Sequence, residues 1–277
     1  MVCKKESDYL LYEEPMGTVS GVQTQIPVLL SEYQFQSKED VDAYLELMKT
    51  TPDYFNSLIA FEQEKAQKGL FMASYTADTV IEQCQAFIDM GDSNYLISTF
   101  VDRIQKLTDL SESEKSDYIQ KNAYMLQTYV LPAYQQLIKT VVELKDSGKN
   151  EEGLCYLPNG KEYYELTVQA STGSVRTVPQ LQKLTKNQMK DDLAAMKAVI
   201  GLTAEQAKET AVMESTDPKE ILNSLSLDIQ KTFPKLPQTS VEVKYVPKAM
   251  EAHLSPAFYM IPALDDTEEN VIYVNQA

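Results

Sequence analysis

The chain has 277 residues, with 41 Asp and Glu against 25 Lys and Arg, a formal net charge of -16 and an isoelectric point near 4.5. Such a negative field repels nucleic acid and anionic lipid, both of which need concentrated Lys and Arg, so nucleic-acid binding is excluded. Only 9 glycines interrupt a sequence rich in Glu, Lys, Gln, Leu, Ala and Met, and the length suffices for a sizeable core, so a mainly α fold is expected.

The first residues carry Lys4, Lys5, Glu6 and Asp8 where a secretory peptide needs an apolar run, so no signal peptide is read, and no stretch is apolar enough to span a membrane. Val41, Tyr44, Leu45 and Met48 recur at helical spacing behind Ser37 and Asp40, a capping pair, which predicts a helix over 38–49. Thr51-Pro52 restarts the pattern, and Phe55, Leu58, Ile59 and Glu62 to Lys65 continue it until Gly69 closes it, giving a helical hairpin.

Val80, Ile81, Cys84, Phe87 and Ile88 form a third stripe; Ile97, Phe100, Val101 and Ile104 form a fourth after Gly91-Asp92-Ser93. Ser111 with Glu114 opens a long helix through Tyr118, Met125 and Tyr129, which Pro132 is expected to kink or break. Its second half, with Tyr134, Leu137, Ile138 and Val141, ends at Asp146-Ser147-Gly148.

The turn-rich run from Gly148 to Gly160 separates two parts, 1–148 and 149–277, which together read as one truncated domain. Further helices are read from Pro179, over 186–200 and from Pro218 to Phe233, the last opened by Asp217-Pro218. After Pro237 the pattern changes. Val241, Val243 and Tyr245 alternate with Glu242 and Lys244, and Phe258 to Ile261 and Val271 to Val274 are short apolar runs around an Asp265-Asp266 turn, so a small sheet is expected near the C-terminus.

Chemistry is sparse. One histidine, His253, excludes a His-based metal cluster, and Cys3, Cys84 and Cys155 have no metal spacing; Cys84 lies on an apolar stripe and is expected to be buried. Glu162 with Glu165, or Asp265 with Asp266, could pair for acid-base work, yet such pairs abound in acidic helical proteins. There is no GxSxG elbow and no phosphate loop. Of the 17 tyrosines most fall on helical stripes, whereas Tyr163 and Tyr164, read as loop residues, and Tyr259, in a strand, stay open to a binding role.

The strings GVQTQIPVLLSEYQF (21–35), EKAQKGLFM (64–72), VIEQC (80–84), GLCYLPNGKEYYE (153–165), LSPAFYMIP and ENVIYVN occur in order along nearly the whole chain. Together they resemble the bacterial family numbered 885 among the domains of unknown function. The resemblance implies a gluzincin-like metallopeptidase scaffold of helices with a small sheet. It also implies zinc in a full-length relative, bound by a His-Glu pair and a Pro-Gly-His string beyond the strand that resembles Val271 to Val274. This chain holds neither string, so no catalytic or metal-binding residue carries over and no cofactor is expected in it. What carries over is an edge strand, Ser255 to Ile261, with Ser255, Ala257, Phe258 and Tyr259 as residues that would bind an extended peptide, alongside Tyr163 and Tyr164. The expected function is a truncated metallopeptidase-like protein, inactive alone, with peptide as substrate and a missing C-terminal part of the same protein as partner. The resemblance also implies that full-length relatives are often exported lipoproteins. The competing reading is a helical module that binds peptides or a partner without catalysis; a metal-free hydrolase has no support beyond the presence of Glu, Asp and Tyr.

Overall fold

The structure, a computed structural model, describes residues 7–19, 21–200, 215–234, 240–246, 248, 251, 255–261 and 269–276. It is mainly helical, with a three-stranded sheet near the C-terminus. The chain divides into two compact units, 1–166 with 247–254, and 167–246 with 255–277.

In the first unit a 3-10 turn, Ser7–Tyr12, precedes α1, Val22–Ser31, a helix whose sequence gives little sign of it because Pro27 lies inside. Proline has no N–H to offer the carbonyl of Gln23 four residues back. The Tyr134 hydroxyl, fully buried, donates to that carbonyl instead at 2.7 Å, so a side chain from a distant helix completes the backbone of α1.

Helix α2, Lys38–Lys49, has the expected bounds and buries Val41, Tyr44, Leu45 and Met48. Asp40 accepts from the backbone N–H of Gln36 at 3.0 Å and of Ser37 at 2.8 Å, which holds its carboxyl below the ordinary value. Helix α3, Thr51–Gln67, starts with Pro52 in its first turn and stops at Gly69, whose φ of +69° only glycine adopts without strain. Helices α4, Ser74–Asp89, and α5, Tyr95–Ile104, come next, the first capped by the Glu151 carboxylate on Ser74 N at 2.7 Å and the second by Asn94 Oδ1 on Leu96 N at 3.0 Å.

Helix α6, Glu112–Met125, opens on the Ser111 and Glu114 box, with Ser111 N to Glu114 Oε2 at 3.0 Å and Glu114 N to Ser111 Oγ at 3.3 Å. Pro132 does not break the helical run. A π turn over Leu126–Val130 leads straight into α7, Leu131–Leu144. The wider turn relieves the crowding a proline imposes on the preceding carbonyls. Helix α7 packs on α3 and α4, while α6 packs on α2 and α5. Tyr44, Phe55, Leu96, Phe100, Ile104, Leu126 and Tyr134 are almost wholly buried between these helices, and the Phe55 and Tyr134 rings meet edge to face at 4.9 Å.

The run 148–160 holds a 3-10 turn, Leu154–Tyr156, and gives way to α8, Gly160–Thr172. Tyr163 and Tyr164 are therefore helical, not loop residues: after Asn159, at φ +50°, nothing between 161 and 172 interrupts a helix. In the second unit, the helices read separately from Pro179 and over 186–200 form one, α9, Val178–Ile200. Helix α10, Pro218–Thr232, is capped by Asp217, which accepts from Lys219 N at 2.9 Å.

Candidate functional site

The three strands of the second unit are β1, Ser240–Tyr245, β2, Ala257–Met260, and β3, Glu269–Val274, in the spatial order β1-β3-β2. β3 is central, parallel to β1 and antiparallel to β2. Among the described residues both β1 and β2 are thus edges. β1 carries Glu242 and Lys244, which pair at 3.8 Å and guard an edge against further pairing, whereas β2 has no charge.

The register fixes which groups of β2 stay open. Asn275 N donates to Pro256 O at 2.8 Å, so 256 with 275 is a hydrogen-bonded pair, and by alternation so are Phe258 with Tyr273 and Met260 with Val271. The backbone N–H and C=O of Ala257 and Tyr259 therefore face away from β3, along the outer edge. Ala257 O already accepts from Ser255 Oγ at 3.3 Å, which leaves Tyr259 at the centre of the open edge.

Side chains alternate in the same way. Phe258 stacks on Tyr273 with ring centroids 4.9 Å apart, and anchors β2 to the sheet. Tyr259 and Ile261 are exposed on the other face, and the Tyr259 hydroxyl donates to Asn270 Oδ1, which stands its ring across β3. Pro256, which has no N–H, bounds the run on its N-terminal side.

Tyr163 and Tyr164 fall in the first unit, apart in the chain division from Ser255, Ala257, Phe258 and Tyr259. Tyr163 is half-buried against the rings of Tyr9 at 5.6 Å and Tyr12 at 4.8 Å, and Tyr12 donates to Pro158 O. Its ring helps to hold the N-terminal 3-10 turn on α8. Tyr164 is exposed. Glu162 and Glu165 both lie exposed on α8.

A family of sequences described as "Bacterial protein of unknown function (DUF885)" matches residues 4–277. The chain belongs to the DUF885 family. Its fold is similar to the crystal structure of "the putative lipoprotein from Colwellia psychrerythraea", with a TM-score of 0.78 at 16% identity, over 95% of this chain and 49% of that one. The DUF885 chain thus spans about half the length of the solved protein it matches. No curated protein matches it.

Zinc does not fit the described residues. Among them no three His, Cys, Asp or Glu side chains come together in a way that could hold a metal ion, and His253, Cys3, Asp265 and Asp266 lie outside them. Cys84 is buried, and burial pushes its thiol up to about 12, so it acts as a small apolar side chain. No helix of the described residues is long and apolar enough to cross a membrane.

One titratable group escapes a reading of the sequence. Glu62 and Lys65 of α3 are 1% and 0% exposed. Lys65 Nζ donates to the carbonyl of Glu13 at 2.7 Å and lies 3.7 Å from both Glu14 Oε1 and Glu62 Oε2, so one buried ammonium ties the N-terminal segment to α3. Neither Glu62 oxygen has a hydrogen-bond partner within the described protein, and burial pushes the carboxyl up to about 7 although Lys65 pulls the other way. Both residues continue the stripe of Phe55, Leu58 and Ile59 at helical spacing, and that position on the apolar face was the available signal.

Proposed function

We propose that this chain is the peptide-holding part of a metallopeptidase-like protein, and that it binds an extended peptide by adding it as a fourth strand outside β2. The observation that carries the reading is the open edge at Tyr259, whose N–H and C=O face away from β3 in an uncharged strand. Such an edge supplies main-chain hydrogen bonds without regard to sequence, and the exposed Tyr259 and Ile261 would add side-chain contacts on one face. Cleavage, in this reading, belongs to residues outside the described set, with zinc as the metal of a longer protein and that further polypeptide as its partner.

The test is fluorescence polarisation with labelled extended peptides, on the wild-type chain and on Tyr259→Pro. Proline at 259 removes an outward N–H while Phe258 and Met260 keep their bonds to β3. Losing one such bond should weaken binding about tenfold, the equivalent of about 1.4 kcal/mol. Unchanged circular dichroism would show that the sheet survives. Equal affinities for the two proteins, or no saturable binding by the wild type, would sink the proposal. Peptide binding without turnover by the longest natural product of the gene would favour the non-catalytic binding module instead.

A further inference from the structure

In a chain of net charge -16, helix α9 is out of character. Its charges are Lys183, Lys186, Lys190 and Lys197 against Asp191 and Asp192. Residues on an α-helix turn by roughly 100° each, which puts the four lysines within roughly 60° of one another and Met189, Leu193 and Met196 in the adjoining roughly 60°. Those three apolar side chains are 57%, 52% and 57% exposed, and every residue from Gln182 to Ala198 is exposed. None of the four lysines has an ion pair with any described residue.

An apolar stripe beside a line of unpaired cations is the pattern of a helix that meets a partner of opposite charge. Burying side chains of the Leu and Met type removes apolar surface from water, so a face of this length gains from being covered. A second copy of α9 would bring its own lysines against these. Anionic lipid would have to approach a strongly negative molecule. A relative with this fold, in contrast, carries about as much polypeptide again beyond the matched region.

We propose that α9 is the docking face for an acidic amphipathic helix in the further polypeptide of a full-length DUF885 protein. That helix seats its apolar stripe on Met189, Leu193 and Met196 and its carboxylates along Lys183, Lys186, Lys190 and Lys197. The proposal shares with the functional reading only the premise that this chain is part of a longer protein; it does not depend on peptide binding at β2.

The experiment is amine acetylation read by mass spectrometry, on the 277-residue chain and on the full product of its gene, with exposed Lys68 of the first unit as the internal standard. The four α9 lysines should react like Lys68 in the shorter chain and lose most of their reactivity in the longer one. The quadruple Lys→Glu variant should lower the melting temperature of the longer protein and leave that of the shorter chain unchanged, while quadruple Lys→Arg should behave as wild type. Equal labelling in the two proteins overturns the proposal, as does a gene product that ends at Ala277. Sedimentation of the shorter chain with phosphatidylglycerol vesicles, or a dimer, that the Lys→Glu variant abolishes also overturns it in favour of a lipid surface or a second copy. Loss of peptide binding at β2 with α9 still protected would remove only the functional reading.

Discussion

Replacing Glu62 by glutamine should stabilise the first unit at alkaline pH and change little at acid pH. The native carboxyl sits at about 7, against an ordinary value of 4.5, because burial disfavours its charge. Between those values the folded protein keeps a proton that the unfolded chain has released. The folded state then binds more protons, so stability falls as pH rises from about 4.5 to about 7 and is level beyond. At about 1.36 kcal/mol per pH unit the cost of ionising Glu62 reaches roughly 3 kcal/mol by pH 8. A glutamine amide avoids that cost, but its NH2 group lacks a partner at the site, which returns about 1 kcal/mol. A net gain of about 2 kcal/mol corresponds to a rise of about 4–8 °C in melting temperature. Differential scanning calorimetry of both proteins at pH 5 and pH 8 measures it. Removing one partner of a buried ion pair that stabilises the fold costs about 3–5 kcal/mol, with the opposite sign. A lower melting temperature for Glu62→Gln at pH 8 would therefore refute the reasoning.

Other changes test the helical scaffold. Tyr134→Phe removes the hydroxyl that serves Gln23 O behind Pro27, so it should cost about 1–3 kcal/mol in urea unfolding, and adding Pro27→Ala should restore part of that loss by supplying the missing N–H. Ser111→Ala removes one half of the box that opens α6 and should cost about 1 kcal/mol by the same measurement, with faster amide exchange confined to the first turn.

The helices from α2 to α7 were legible because each carries an apolar stripe of the right period, and at α2 and α6 a capping pair marks the start as well, as Ser37 with Asp40 does for Val41, Tyr44, Leu45 and Met48. Where a local signal contradicts the tertiary outcome, the reading fails. Pro27 conceals α1 because the partner that repairs it, Tyr134, lies 111 residues from the carbonyl it serves. The turn residues Pro158, Asn159 and Gly160 conceal the start of α8. Glu62 and Lys65 look like an ordinary solvated pair three residues apart, and only their place on the buried stripe says otherwise. The three strands were legible, β1 from alternation and β2 and β3 as short apolar runs, but their order was not. That β3 lies between β1 and β2, which is what opens the edge at Tyr259, comes from pairing between distant segments.

The π turn at Leu126–Val130 bears on how other sequences of the family should be aligned. A π turn is in effect an α-helix with one residue inserted, the extra residue absorbed locally so that everything downstream keeps its phase. Deleting a residue from this segment would leave Tyr134, Leu137 and Val141 pointing at the core, at the cost of restoring the crowding around Pro132. A deletion elsewhere in α6 or α7 would instead rotate the rest of the helix by roughly 100° and turn that face toward solvent. Among single-residue deletions in this long helix, one at 126–130 is therefore the one that keeps its buried side.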